Sequence, residues 1–336
     1  DMIELATAVN GGNSYSGVYF AVANDINLEG CEENQWTPIA SSWSTPFRGT
    51  FNGCGYVISG LYINNGSDFQ GLFGCLNNYG SILNLGVSGS VRGHNYVGAV
   101  VGESWGTVSD CYNAGAITGG NYVGGIVGYN GGRVTGCYNT GDVAGYYETG
   151  GIAGYNIGDV SNCYNVGTIS GGGGVVGYNH NQFTEGRITN SYTLAGSASR
   201  NGYGSPLTSE QFADQSAFIG WDFTSTWIMS NWLGRPVLKS SIEGGSGTEE
   251  DPYIIPDLEM LEKFRDSVNS GTTYVGEYIK LTDNIDMSES YGETAGKDDA
   301  AVSWTPIGDR SHSFQGNFNG GGYEISGLYI NNSEAN

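Results

Sequence analysis

Positive charge is scarce in this sequence. Lysine and arginine total 12 in 336 residues, against 34 aspartates and glutamates, for a formal net charge of −22. A surface that tracks phosphates needs clustered Lys and Arg, so nucleic acid is excluded as a partner class. The same acidity repels anionic membranes. Histidine is scarcer still. His94, His180 and His312 are scattered, and the H-E-x-x-H signature of zinc peptidases is absent. No apolar run is long enough for a bilayer-spanning helix, so no membrane insertion is expected within these residues. Proline is rare, at 7 residues, and no collagen period occurs.

Glycine, by contrast, is abundant, at 58 residues. Such a share means either flexible low-complexity chain or a repeated backbone shape that glycine permits. Internal repeats decide for the second. GLFGCLNNYGSILNLG (71–86), GAVVGESWGTVSDCYNAG (98–115), GGIVGYNGGRVTGCYNTG (124–141) and GGIAGYNIGDVSNCYNVG (150–167) align, and a fifth copy (173–196) carries an insertion. Their marker glycines, Gly74, Gly102, Gly128, Gly154 and Gly177, recur at intervals of 28, 26, 26 and 23 residues. Each copy reads as two short strands, a G-[LAIV]-[FVA]-G stretch and a V-x-x-C-Y-N stretch, joined by a Gly-containing turn. A unit this short cannot bury its own apolar face, but stacked units can. The expected fold is all-β: a parallel β-helix, or β-solenoid, with short capping helices.

Stacking turns equivalent positions into ladders roughly 4.8 Å apart. Cys111, Cys137 and Cys163 form one, continued by Ser191. Tyr112, Tyr138, Tyr164 and Tyr192 form the adjacent one, on the opposite face of the strand. Asn113, Asn139 and Asn165 form a third, in which amides can bond up and down the stack. Tyr129, Tyr155 and Tyr178, each followed by Asn, form a further pair of tracks.

The G-[LIV]-[VAF]-G…C-Y-N-x-G pattern resembles the GLUG repeat of bacterial surface proteins. That repeat occurs in adhesin-like proteins and in the non-catalytic region of immunoglobulin-A-cleaving metallopeptidases. The resemblance covers about 71–196 and implies a right-handed β-helix-like solenoid at the cell surface or outside the cell. It implies no chemistry.

A larger repeat surrounds the small one. FRGTFNGCGYVISGLYINN (47–65) returns as FQGNFNGGGYEISGLYINN (314–332), WTPIA (36–40) as WTPIG (304–308), and DMIELATAVNGG (1–12) as MLEKFRDSVNSG (260–271). The expected organisation is a solenoid over 1–204, a junction over 205–244, and the start of a second, homologous unit over 245–336. The second copy has an entry segment (245–258) that the first lacks, so the sequence is expected to be a window on a longer tandem array. Helical spacing of Leu258, Leu261, Phe264 and Val268 after Asp257 predicts a helix over 257–269, and its match predicts another over 1–10 that covers the first coil. Thr208 and Gln211 fit a capping box for a helix over 208–218. Trp221, Phe223, Trp227 and Trp232 are expected to plug the C-terminal end of the solenoid.

Candidate chemistry is thin. The cysteine ladder suits a column of small buried side chains; a single file offers no tetrahedral cage, so no metal site is expected. Cys75 is expected to be an unpaired thiol. Cys31 and Cys54 are both lost in the second copy, and this joint loss points to a disulfide between them. Carboxylates do not recur on one face: Asp110 aligns with Gly136 and Asn162, so no catalytic residue is assigned and no enzyme is expected. Glu249–Glu250–Asp251, Asp283–Asn284–Asp286 and Asp298–Asp299 could offer oxygen ligands to a structural calcium, but none fits a calcium motif, so no cofactor is assigned. Tyr112, Tyr138 and Tyr164 are the candidate ligand-binding residues. Outward stacked rings bind sugars or a protein partner, and they equally stabilise neighbouring coils by packing. The expected function is a non-enzymatic adhesin or scaffold that binds a host or microbial surface glycan or protein, with head-to-tail self-association into a fibre. The alternative is a carbohydrate-binding or polysaccharide-processing β-helix.

Overall fold

The computed structural model describes residues 2–23, 25–180, 187–199, 202–230, 233–238, 249, 252–255, 257–269, 271–288, 290–292 and 301–331. Two compact units are present, Asp1–Trp227 and Ile228–Asn336.

The first unit is a parallel β-solenoid, and the structure as a whole has about 8 turns. Three parallel ladders run along its coils. One joins Phe73–Leu76, Val101–Ser104, Val127–Asn130, Ala153–Asn156 and Val176–Asn179, built from the G-I-V-G motif. A second joins Val97–Gly98, Asn121–Gly124 and Tyr147–Gly150. The third contains the C-Y-N strands and runs through Ser81–Arg92 and Thr107–Asn113. Register advances by one coil of 26 residues, as in Tyr138 to Tyr164. Each strand is too short to stand alone, and hydrogen bonding to the strand above and below satisfies its backbone.

The core is a column of matched side chains. Val108, Val134 and Val160 lie in register, as do Ile117, Val143 and Ile169, and all six are buried. Cys111, Cys137 and Cys163 are fully buried beside them, and each thiol donates to the carbonyl two residues back, at 3.1, 3.3 and 3.1 Å. Ser191 continues the column with the same bond, 2.9 Å to Thr189 O. Burial away from water raises the Cys111, Cys163 and Cys75 thiols well above their ordinary pKa.

The asparagine ladders form as expected. The Asn113 amide donates to Asn139 Oδ1, and Asn139 to Asn165 Oδ1, both at 2.7 Å. Asn130, Asn156 and Asn179 repeat the arrangement at the same distance. These side chains point inward, and the glycine pair in G-G-I-V-G makes room for them. A Cβ on Gly125 or Gly151 would come within 2.5 or 2.3 Å of the Asn139 or Asn165 amide carbon. A second recurrent need is a left-handed corner, occupied by Asn84, Asp110, Gly136, Asn162 and Asn190, all at positive φ. Asn, Asp and Gly tolerate that conformation best, which explains why a carboxylate, a glycine and an amide align there.

The helix Met2–Asn10 packs Met2, Leu5, Ala6 and Val9 onto the first coil. The helix predicted over 208–218 is shorter. The Thr208/Gln211 capping box starts Ser209–Phe212, which ends at Ala213, and Asp214 then caps a separate 3-10 turn.

The aromatic segment after it does not plug the end of the stack. It folds back along the side, over the C-Y-N tyrosines. Trp227 packs against Tyr138 and Tyr164 (ring centroids 6.2 and 6.0 Å), Trp221 against Tyr164 and Tyr192, and Phe212 against Tyr164. The Trp221 indole donates to Asn190 O at 2.7 Å, which ties the segment to the coil it covers. Trp232 lies outside the described residues.

In the second unit, Tyr253–Ile255, Tyr278–Leu281 and Asn317–Asn319 pair in parallel, and Ile285–Asp286 pairs with Ile325–Ser326. The helix Leu258–Asn269 buries Leu261, Phe264 and Val268, with the Asp257 carboxylate accepting from Met260 N at 2.8 Å.

Candidate functional site

The three candidate tyrosines are not available to a ligand. Tyr112, Tyr138 and Tyr164 are fully buried, stacked at 4.9 and 5.1 Å with interplanar angles of 5° and 1°. Strand alternation does point them away from the solenoid core, but residues 205–227 cover them. Their role is packing. The disulfide expected between Cys31 and Cys54 is also not formed, and both thiols are free and exposed. Gly30 lies against Gly60 and Tyr62, whereas Cys54 sits in the turn that precedes Val57–Asn64. The joint loss of both cysteines in the second copy therefore does not mark a bond between them. Of the acidic clusters, Glu250, Asp251, Asp298 and Asp299 lie outside the described residues; among the described residues no group of three His, Cys, Asp or Glu side chains could hold a metal.

The other tyrosine track faces outward. In the five-stranded sheet, Cys75, Glu103, Tyr129, Tyr155 and Tyr178 share one column. Tyr129 and Tyr155 stack at 5.1 Å, as do Tyr155 and Tyr178, and Tyr178 is 44% exposed. Beside them runs a second column, Phe69, Tyr96 and Tyr122, with centroids 4.9 Å apart at each step. All three sit at positive φ, between 56° and 59°, which is costly for bulky residues and is held here by the stack. Burial raises the phenols of Tyr96 and Tyr155 and pushes that of Tyr129 up to about 12. These hydroxyls are therefore protonated at neutral pH and able to donate.

At one end of this aromatic face lies an open cleft lined by Trp43, Asn77, Asn78, Glu103 and Trp105. Glu103 is its centre. The Trp43 indole N–H donates to Glu103 Oε2 at 2.6 Å, and the Trp105 indole N–H donates to Oε1 at 2.9 Å. Trp105 is 41% exposed and lies across Gly131 of the next coil, where a Cβ would come within 2.8 Å of its ring atoms. One indole face thus rests on backbone while the other meets solvent. None of these residues was singled out as a binding candidate from the sequence. The signal was there: Glu103 and Trp105 stand where the next coils carry Tyr129 with Gly131 and Tyr155 with Ile157. A break in an otherwise regular repeat marks a position released from the demands of stacking.

Two adjacent coils, residues 119–144 and 145–170, match the family model described as the GLUG motif. These two coils of the stack are GLUG motifs. The GLUG coils bring together the inward Asn and Cys columns and both tyrosine tracks. The chain is 36% identical over 99 residues to a Gly-rich membrane protein of Evansella cellulosilytica, a match that takes in 29% of this chain and 10% of that protein. It is 31% identical over 118 residues to halomucin of Haloquadratum walsbyi, covering 33% of this chain and 1% of halomucin. The chain therefore matches only a small part of these much longer relatives. Among solved structures, a Bacteroides ovatus protein described as an immunoglobulin A1 protease aligns with a TM-score of 0.55 at 19% identity, covering 71% of this chain and 90% of that one. At that identity the likeness is one of fold.

Proposed function

We propose that this protein is a non-enzymatic adhesin or scaffold module displayed at or beyond the bacterial cell surface. One observation carries the reading. The recurring polar and aromatic groups of the GLUG coils, the Asn, Cys and C-Y-N tyrosine ladders, bond or stack to their equivalents in neighbouring coils. They build a stack, and what the stack then offers is a long outer face rather than a pocket with converging acid and base. The similarity to a protein named a membrane protein and to one named halomucin supports a surface setting. So does the net charge of −22, which suits a soluble, extended surface element. Its partner is a surface glycan or protein, and its coils also suit head-to-tail association.

The test is adhesion by the full chain. Beads coated with it are expected to adhere to glycan-coated or cell-derived surfaces above albumin-coated controls, without release of reducing sugar. Adhesion no better than albumin would reject the adhesin role, and turnover of any polysaccharide would overturn the non-enzymatic reading.

A further inference from the structure

We infer that the cleft formed by Trp43, Glu103 and Trp105 is a subsite for a neutral pyranose ring of an oligosaccharide. The inference deepens the adhesive reading by naming a site and a ligand class; its failure would leave a protein-binding adhesin or a scaffold intact.

The geometry carries it. An exposed indole face backed by peptide, as Trp105 is by Gly131, is flat and held in place. The C–H face of a pyranose packs on such a platform, burying apolar area and gaining from the polarised ring. A sugar also needs hydrogen-bond partners at its rim. Glu103 supplies them: a carboxylate has about four lone-pair positions over its two oxygens, and the indoles of Trp43 and Trp105 take one on each oxygen. Two positions are left to accept sugar hydroxyls, and the indole donors fix the carboxylate so that little ordering is lost on binding. Asn77 and Asn78 border the same cleft and present amides able to donate and accept.

Charge selects the kind of sugar. A fixed carboxylate in a chain of net charge −22 repels uronic acids and sulfated rings. A quaternary ammonium ligand would also favour a carboxylate beside aromatic rings, but it needs ring faces turned towards the cation. Here both indoles turn an N–H edge to Glu103, so a cation at the carboxylate would meet the positive rims of the rings. Beyond the cleft, the phenols of Tyr129, Tyr155 and Tyr178 line up at about one coil spacing, with Trp105 packed near Tyr129 at 6.1 Å. A linear chain seated on Trp105 would run along that row, in which the Tyr155 hydroxyl already pairs with His180 Nδ1 at 2.9 Å.

The experiment is a titration of the full 336-residue chain, followed by tryptophan fluorescence and calorimetry. The probes are cellohexaose, mannohexaose and chitohexaose, with hexagalacturonate and tetramethylammonium as charged competitors. At least one neutral hexasaccharide is expected to saturate below 5 mM, as weak single-platform sites do (order of magnitude). Trp105→Ala is expected to weaken it at least tenfold, with Trp105→Phe partly restoring binding, and Glu103→Gln at least fivefold. Tyr146→Ala removes an exposed aromatic outside the cleft and is expected to bind as the parent does. Circular dichroism of each variant separates lost binding from lost fold, and a misfolded Trp105→Ala leaves Trp105→Phe and Glu103→Gln to decide. No saturation by any neutral hexamer, tighter binding of either charged probe, or unchanged affinity in Trp105→Phe and Glu103→Gln together would overturn the inference.

Discussion

The chain contains one sequence twice in two settings. F-N-G-x-G-Y-x-I-S-G-L-Y-I-N-N stands at 51–65, in the second coil of the first unit, and recurs at 318–332 in the second unit. Phe51 is 3% exposed and Leu61 1%, whereas their counterparts Phe318 and Leu328 are 41% and 57% exposed. Ile58 and Ile63 are likewise buried, and Ile325 and Ile330 are not. The backbone is similar in kind, since Tyr19–Ala21 pairs with Thr50–Asn52 and Tyr278–Leu281 with Asn317–Asn319, both in parallel. What differs is the neighbour. In the first unit Thr50–Asn52 and Val57–Asn64 are followed by Ser81–Arg92, which pairs with both. Phe51, Ile58, Leu61 and Ile63 therefore owe their burial to the coil that follows them.

The comparison can be broken most directly at its phenylalanines. Phe51→Ala is expected to cost the first unit about 3–5 kcal/mol, as truncations of buried rings do. Phe318→Ala is expected to cost about 1 kcal/mol or less, since little transfer energy is at stake at a half-exposed site. Urea unfolding of each variant checks this, and equal losses would show the second face to be as well covered as the first.

A second test contrasts two tyrosine tracks within the GLUG coils. Tyr138→Ser removes a ring stacked between two others and beneath Trp227, and should cost about 3 kcal/mol or more by thermal unfolding. Tyr155→Ser, on the outer face, should cost about 1 kcal/mol. A small loss at Tyr138 would contradict the folded-back segment.

Other features should behave alike in both units. The last residue of each long helix is an asparagine that pins the W-T-P-I loop: Asn10 Nδ2 donates to Pro38 O, and Asn269 Nδ2 to Pro306 O, both at 3.0 Å. Their carbonyl oxygens accept from Ser41 N and Gly308 N, at 2.9 and 2.7 Å. Asn10→Ala and Asn269→Ala are therefore expected to destabilise their own units by similar amounts, about 1–2 kcal/mol. Unequal losses would mean that this clasp too depends on the neighbouring coil.

The smallest effect has a sign that depends on pH. Burial raises the Asp110 carboxyl to about 6, above its unfolded value of 3.8. A raised pKa means the folded state holds the proton more tightly. Stability from this group is greatest below about pH 4 and is lost as pH rises towards 6. Asp110→Asn keeps a residue suited to the left-handed corner, as Asn84 shows one coil away. It is expected to stabilise the protein at pH 7 by about 1–2 kcal/mol, with the gain vanishing near pH 4. A gain that persists at pH 4 would point to the corner conformation rather than to charge.

The coil was legible in the repeat pattern alone. The recurrence of G-I-V-G and C-Y-N every 26 residues specified a parallel stack, the inward Cys and Asn columns and the stacked tyrosines, because in-register neighbours must present identical side chains to one another. The helices at 2–10 and 258–269 were likewise legible from apolar spacing. Which outward track is covered depends on packing between segments far apart in the chain. Tyr138 and Tyr155 are equivalent as far as strand alternation goes, since both point away from the solenoid core. Trp221 and Trp227, more than 50 residues downstream of both, bury one and leave the other half open. Repetition encodes contacts between a coil and its neighbour in the stack. It carries no information about a non-repeating segment that packs across several coils at once, nor about an irregular pair such as Glu103 and Trp105, whose partner Trp43 comes from a loop 60 residues away.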